Sequence, residues 1–207
     1  MSRPARRDHL LAAAERIVRR DGVGRLTLDA VAVEAGTSKG GLLYHFASRD
    51  ALITAMVERH ASAFSASLEA SMAADPEPPG RWTRAYLRSS ASPADPGEGD
   101  AAATGLLAAM ASNPHLADPL REQYAAWREQ VADDGLPEAD AMIVALAADG
   151  LWMADLLGFA APTGERRRRI IARLLEMAGA TRHTNHSGTR AATTDTNRAA
   201  APASPRR

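Results

Sequence analysis

The chain has 207 residues, 25 Lys+Arg against 25 Asp+Glu, and 45% hydrophobic residues, the mix of an ordinary globular protein. That mix excludes collagen-like, wholly disordered and multi-span membrane chains, and the absence of cysteine excludes disulfide frameworks, thiolate metal sites and Cys nucleophiles. The zero net charge hides a division: residues 1–49 hold nine bases and five acids, residues 50–180 eleven and nineteen, and residues 181–207 five and one. A basic front on an acidic body points to a polyanionic partner for the front. The polar start of the sequence has no long apolar run, so no secretory signal is expected and the cytoplasm is the expected location.

In chain order, Leu10, Leu11, Ala14, Ile17 and Val18 recur at helical spacing, and Asp21-Gly22-Val23-Gly24 ends that first helix. Thr27 is an N-cap, with Leu26 and Val31 spaced as a hydrophobic staple, for a short second helix that Gly36 ends. Thr37-Ser38 opens a third helix running from Lys39 to about Phe46. Ser48 caps a long fourth helix, Arg49 to about Met72, which packs through Leu52, Ile53, Met56, Val57, Phe64 and Leu68. After the break at Asp75-Pro-Glu-Pro-Pro-Gly80, helices are expected over 81–89, 101–111, 118–131, 138–159 and 165–178, with a Pro/Gly/Asp loop at 92–99. No stretch alternates with period two for long enough to form a strand.

The expected fold is therefore all-α, with about nine helices. A three-helix N-terminal helix-turn-helix domain occupies residues 4–64, with the motif at 27–46. A helical ligand-binding and dimerisation domain occupies 65–180, and 181–207, which lack periodicity, form a disordered tail. Ala141 to Ala161 is apolar enough to raise a membrane question, but Asp149 and Asp155 would each cost roughly 2.5–3.5 kcal/mol near a bilayer centre. The segment is expected in a core or a subunit interface.

Residues 27–46 carry the chemistry. A short helix, a Gly turn and a second short helix form the unit in which one helix buttresses another that enters the major groove of DNA. Thr37, Ser38, Lys39, Gly40 and Gly41 make a small, polar N-terminus suited to base edges and phosphates. Two glycines inside a helix cost roughly 1 kcal/mol each relative to Ala, which makes sense where backbone must approach DNA. Tyr44, His45 and Arg49 are placed to meet phosphate oxygens. Leu42 joins this candidate set, and Leu42 and Phe46 are also spaced as core anchors.

Gly36-Thr-Ser-Lys-Gly-Gly-Leu-Leu-Tyr-His-Phe46, followed by Ser48-Arg-Asp-Ala-Leu52, closely resembles the DNA-binding domain of TetR-family transcriptional regulators. Gly22 to Val31 resembles the stretch that enters the motif in that family, and Asp149 to Gly158 one of its C-terminal subgroups. The resemblance implies a homodimer on a palindromic operator, usually a repressor released by a small molecule. It implies phosphate contacts from Thr27 and Ser38, base proximity for Lys39 and Gly40, and backbone contacts from Tyr44, His45 and Arg49. Leu43 and Gly41 depart from the family pattern, in which an aromatic and a larger side chain are common. An activator of the same fold is an alternative, as is, from another class, a helical small-molecule-binding protein or enzyme with a vestigial head.

In the body, Trp82, Tyr86, Met110, Tyr124, Trp127, Trp152 and Asp155 are candidates to line an effector pocket, although aromatic spacing on helices usually means core. Asp149 and Asp155, on an apolar helix, need partners: an Arg across a dimer, or a ligand. The helices at 138–159 and 165–178 offer more apolar surface than one small body buries, which points to a four-helix dimer seam. No nucleophile, phosphate-loop or metalloprotease motif is present, so no enzyme, cofactor or metal is expected. His183 and His186 have metal-like spacing without acid or Cys support.

Overall fold

The computed structural model describes residues 3–91 and 101–180. Helix α1 (Arg3–Asp21) buries Leu10, Leu11, Ala13, Ala14, Ile17 and Val18 along one side, as their spacing requires. One turn of 3-10 helix, Val23–Arg25, leads into α2 (Leu28–Glu34). The Thr27 hydroxyl accepts from the Ala30 amide, and Leu26 and Val31 are fully buried, so cap and staple form together. At the other end Thr37 N–H donates to the Ala32 carbonyl and Gly36 N–H to that of Val33. This double stop needs a left-handed residue after the helix, and Gly36 stands at φ +61°.

The short α3 (Lys39–Leu43) and the long α4 (Arg49–Ala73) begin at Ser38 and Ser48, whose hydroxyls accept from the Gly41 and Ala51 amides. There follow α5 (Arg81–Ala91), α6 (Ala101–Ser112), α7 (Asp118–Ala132), α8 (Glu138–Leu157) and α9 (Gly164–Leu175). Among the described residues there are nine α-helices and no strand. Three expected helices end early. The third stops at Leu43, with Phe46 N–H still bonded to the Leu42 carbonyl. The eighth stops where Gly158 turns left-handed, and the ninth opens into a wider turn at Glu176–Ala180. The expected tail at 181–207, with His183 and His186, and the loop at 92–99 lie outside the described residues.

Apolar side chains gather in two clusters. One joins α1, α2, α3 and the first half of α4, and is completed by Leu106 and Ala109 of α6 and by Leu116. The other holds Leu68 of α4, Trp82 and Tyr86 of α5, Trp127 and Val131 of α7, and Leu174 of α9, against Ala141, Val144, Ala145 and Ala148 of α8. Helix α4 serves both. Helix α6 lies so close to α1 that a Cβ on Gly105 would stand 2.5 Å from Val18 Cγ1.

Buried charge fixes the entry to α5. The Arg84 guanidinium meets the Asp75 carboxylate at 2.8 and 3.0 Å, with the two side chains 7% and 8% exposed. Arg84 also donates to the Pro79, Ala178 and Glu77 carbonyls, and Arg88 supports Asp75 at 2.7 Å. Hydrogen bonds from Arg84 hold the Asp75 carboxyl well below the usual carboxylate range, against the opposing effect of burial. From the loop after α7, Asp134 caps α5 by accepting from the Trp82 and Thr83 amides at 3.1 and 2.7 Å. Among the described residues no helix is long and apolar enough to cross a membrane.

Candidate nucleic-acid interface

Helix α3 is anchored from below and bare above. Leu42 and Phe46 are buried in the front cluster, so they set its height and roll. Leu42 therefore leaves the candidate contact set: fully buried, it has no surface to offer a duplex. The outer side presents Ser38, Lys39, Gly40 and Tyr44, all exposed, with Thr27 exposed at the start of α2 and Thr37 half-buried in the turn. Tyr44 is 68% exposed, an unusual position for an aromatic ring without a partner molecule.

The two glycines of α3 serve different ends. A Cβ on Gly41 would meet Thr37 Oγ1 at 2.9 Å and Ser38 Oγ at 3.3 Å. Gly41 therefore makes room for the Thr37 hydroxyl and for the capping hydroxyl of Ser38. A Cβ on Gly40 would meet nothing within 4 Å. No neighbour within the chain requires Gly40 to be bare.

Arg49, exposed at the start of α4, also has partners within the motif. Its guanidinium donates to the Leu26 carbonyl at 2.7 Å and the Val23 carbonyl at 2.8 Å. It straps the start of α4 to the segment before α2, so its first task is to hold the motif together. His45 is half-buried, edge-on to Tyr44 with ring centroids 5.3 Å apart. Lys39 Nζ lies 3.0 Å from the Asp29 carboxylate.

The N-terminal arginines lie outside the contact set expected from the sequence. The Arg3 guanidinium sits 5.2 Å from the centroid of the exposed Tyr44 ring, and Arg7 lies 5.5 Å from that of Phe46. The signal was present: Arg3, Arg6 and Arg7 share one face at i, i+3, i+4. Elsewhere part of the front's charge is internally spent. Arg16 and Arg20 close on Glu34 at 2.8 and 3.1 Å and, Arg16 foremost, pull its carboxyl below the ordinary value. Arg3, Arg6, Arg19 and Arg25 have no carboxylate partner among the described residues.

In the body, four of the seven candidate pocket residues come together. Trp82 stacks on Tyr86 at 5.2 Å, and Tyr124 meets Trp127 edge-on at 5.1 Å. Phe64 of α4, expected only as packing, joins both halves at 5.5 Å from Tyr86 and 4.9 Å from Trp127. Met110 packs instead against the front cluster, while Trp152 is half-buried outside the aromatic group and Asp155 is exposed. Asp149 sits at the edge of the rings, taking hydrogen bonds from the Tyr86 hydroxyl and Arg128. Burial pushes the Tyr86 and Tyr124 phenols up, and Asp149 adds to both shifts.

Asp149 and Asp155 thus find Arg partners within their own chain, where the sequence suggested an Arg across a dimer or a ligand. Asp149 pairs with Arg128, and Asp155 with Arg167 at 2.8 Å. Helix α8 has two apolar sides. Ala141, Val144, Ala145 and Ala148 are fully buried in the body, while Ile143 and Leu146 are 51% and 56% exposed. Leu157 and, on α9, Ile170 extend the uncovered side. Among the described residues no group of three or more His, Asp or Glu side chains is placed to hold a metal ion.

The comparisons follow this division. Residues 10–56 match the model of bacterial regulatory proteins of the tetR family, and residues 80–179 match the tetracyclin repressor-like C-terminal domain. No curated protein sequence matches the chain. Among solved structures, the regulator SCO7518 of Streptomyces coelicolor A3(2) shares the fold at TM-score 0.68 and 19% identity, covering 85% of this chain and 99% of its own. The TetR-family member SCO1917 of Streptomyces coelicolor A3 gives TM-score 0.64 at 25% identity, over 83% of this chain and 98% of its own. The multidrug-binding protein EbrR, solved with malachite green, gives TM-score 0.61 at 28% identity over the same shares. The chain belongs to the TetR family of transcriptional regulators, all-helical proteins with a DNA-binding helix-turn-helix head.

Proposed function

We propose that the protein is a ligand-responsive repressor that binds a palindromic operator as a homodimer. The observation that carries this is α3 itself. Leu42, with Phe46 just beyond the helix, occupies the buried side, while the outer side carries a cation and a bare glycine next to each other and an exposed phenol one turn on. Lys39 and Gly40 face base edges, and Ser38, Thr27, Thr37, Tyr44 and His45 meet the phosphates. Arg3 adds its charge beside Tyr44.

The uncovered sides of α8 and α9 supply the dimer. Exposed Ile143, Leu146, Leu157 and Ile170 pair with their symmetry mates in a four-helix seam. Two-fold symmetry then sets two α3 helices on one face of DNA, near one helical turn apart. The aromatic group of Phe64, Trp82, Tyr86, Tyr124 and Trp127 receives an aromatic effector, with Asp149 and Arg128 as polar handles. EbrR, captured with the dyes malachite green and ethidium, supports that class of molecule.

The path from effector to DNA is short. Phe64 and the front-cluster residues Leu52 to Val57 lie on the same α4, and α6 is packed into the front core. An effector that reshapes the aromatic group shifts α4, and the dimer's heads change separation. The shift is limited by the effector's differential affinity for the two arrangements. Selection of bound duplexes from a random pool tests the proposal. An inverted repeat is the expected product, and a non-repeated motif or no enrichment overturns dimeric reading.

A further inference from the structure

The geometry points to Asp29 as a positioning residue for sequence reading: it holds the Lys39 ammonium away from the phosphates and leaves it donors for a base edge. This rests on the placement of α3 in the major groove. Asp29 is in the first turn of α2 and Lys39 is the first residue of α3, so the pair bridges the mouth of the motif. Lys39 Nζ lies 3.0 Å from Oδ1 and 3.1 Å from Oδ2 of the same carboxylate. Both side chains are exposed, so packing does not demand the contact.

Glu34, the other acid of α2, is occupied by Arg16 and Arg20. Lys39 is the chain's only lysine. An ammonium has three donors. One is engaged by Asp29 Oδ2, with Oδ1 in ion-pair contact beside it, and the others are free for an acceptor on a base. Without Asp29, a lysine on a flexible four-carbon stem turns to the nearest phosphate, a contact that carries no sequence information. The Asp29 charge also repels phosphates in every register. That cost is uniform; the discrimination comes from the phosphate contact that Lys39, held by Asp29, does not make on wrong sequences.

The test uses the full chain, its selected operator duplex and a scrambled duplex of equal length. Affinities and their salt dependence are measured for wild type, Asp29→Asn, Lys39→Ala and the double variant. Asp29→Asn is expected to tighten scrambled-duplex binding by about threefold per head, about tenfold for a dimer. Operator affinity moves less, so discrimination falls. The slope of log K against log salt on the scrambled duplex steepens by about 0.9 per head, as one freed lysine neutralises one phosphate. A loss of structure alone does not steepen that slope.

In the Lys39→Ala background the Asp29→Asn steepening disappears. If Asp29→Asn moves both duplexes by the same factor, or leaves the slope unchanged, Asp29 does not position Lys39 and only this proposal falls. If Lys39→Ala leaves operator binding untouched, α3 does not read the groove through Lys39, and the proposal falls with that placement.

Discussion

Asp75→Asn isolates the buried charge that fixes the start of α5. The substitution keeps the shape of the side chain but leaves the Arg84 guanidinium, 7% exposed, without its counter-charge. Removing one partner of a buried pair costs about 3–5 kcal/mol. For a protein of this length that lowers Tm by about 6–20 °C, at about 2–4 °C per kcal/mol. The cost also has a pH signature. The folded Asp75 carboxyl is held below its unfolded value of about 3.9, so it contributes stability above that value and loses it as pH falls toward the folded one. The gap between wild type and variant is widest near pH 7 and narrower by about 1 kcal/mol at pH 3, since one pH unit is worth about 1.4 kcal/mol. Urea unfolding followed by tryptophan emission measures it, because all three tryptophans lie in the body at positions 82, 127 and 152. Equal stability of variant and wild type at pH 7, or a gap unchanged between pH 7 and pH 3, would refute the assignment.

Gly40→Ala and Gly41→Ala should separate in opposite ways. Gly40→Ala gains helix propensity worth up to about 1 kcal/mol and keeps or raises Tm while weakening operator binding. Gly41→Ala loses stability through the Thr37 and Ser38 contacts, and both effects are read by thermal melts and gel shift. Leu146→Glu places a charge on the uncovered side of α8 and should give a folded monomer by analytical ultracentrifugation, with operator binding lost. Leu42→Ala should cost about 2–5 kcal/mol, as for a buried leucine elsewhere, visible as a lower urea midpoint. Tyr86→Phe removes one hydrogen bond to Asp149 and should alter the concentration of a dye effector needed to release DNA, measured by fluorescence titration.

Much of the front was legible because each signal there is local. Caps at Thr27, Ser38 and Ser48, the Leu26–Val31 staple and the Gly36 stop act within a few residues, and all appear as the sequence implies. What escaped depends on contacts distant in sequence. That Arg49 straps Leu26 and Val23 needs the fold of the whole motif. That Asp149 and Asp155 pair within the chain needs the packing of α7 and α9 on α8. Helical spacing gave Phe64 only a packing side, and its place between Tyr86 and Trp127 appears once α4, α5 and α7 meet. Gly40 and Gly41 look equivalent in the sequence and differ only through the neighbours of an absent Cβ.

The central claim is that two α3 helices, one from each protomer, occupy successive major grooves on one face of a duplex. Methylation interference at guanine N7 on the selected operator tests it most directly, because N7 lies in the major groove. The expected pattern is two symmetric patches of interference centred roughly 34–36 Å apart, one helical turn, both weakened by Lys39→Ala. A single patch, or no interference at guanine N7, would contradict it.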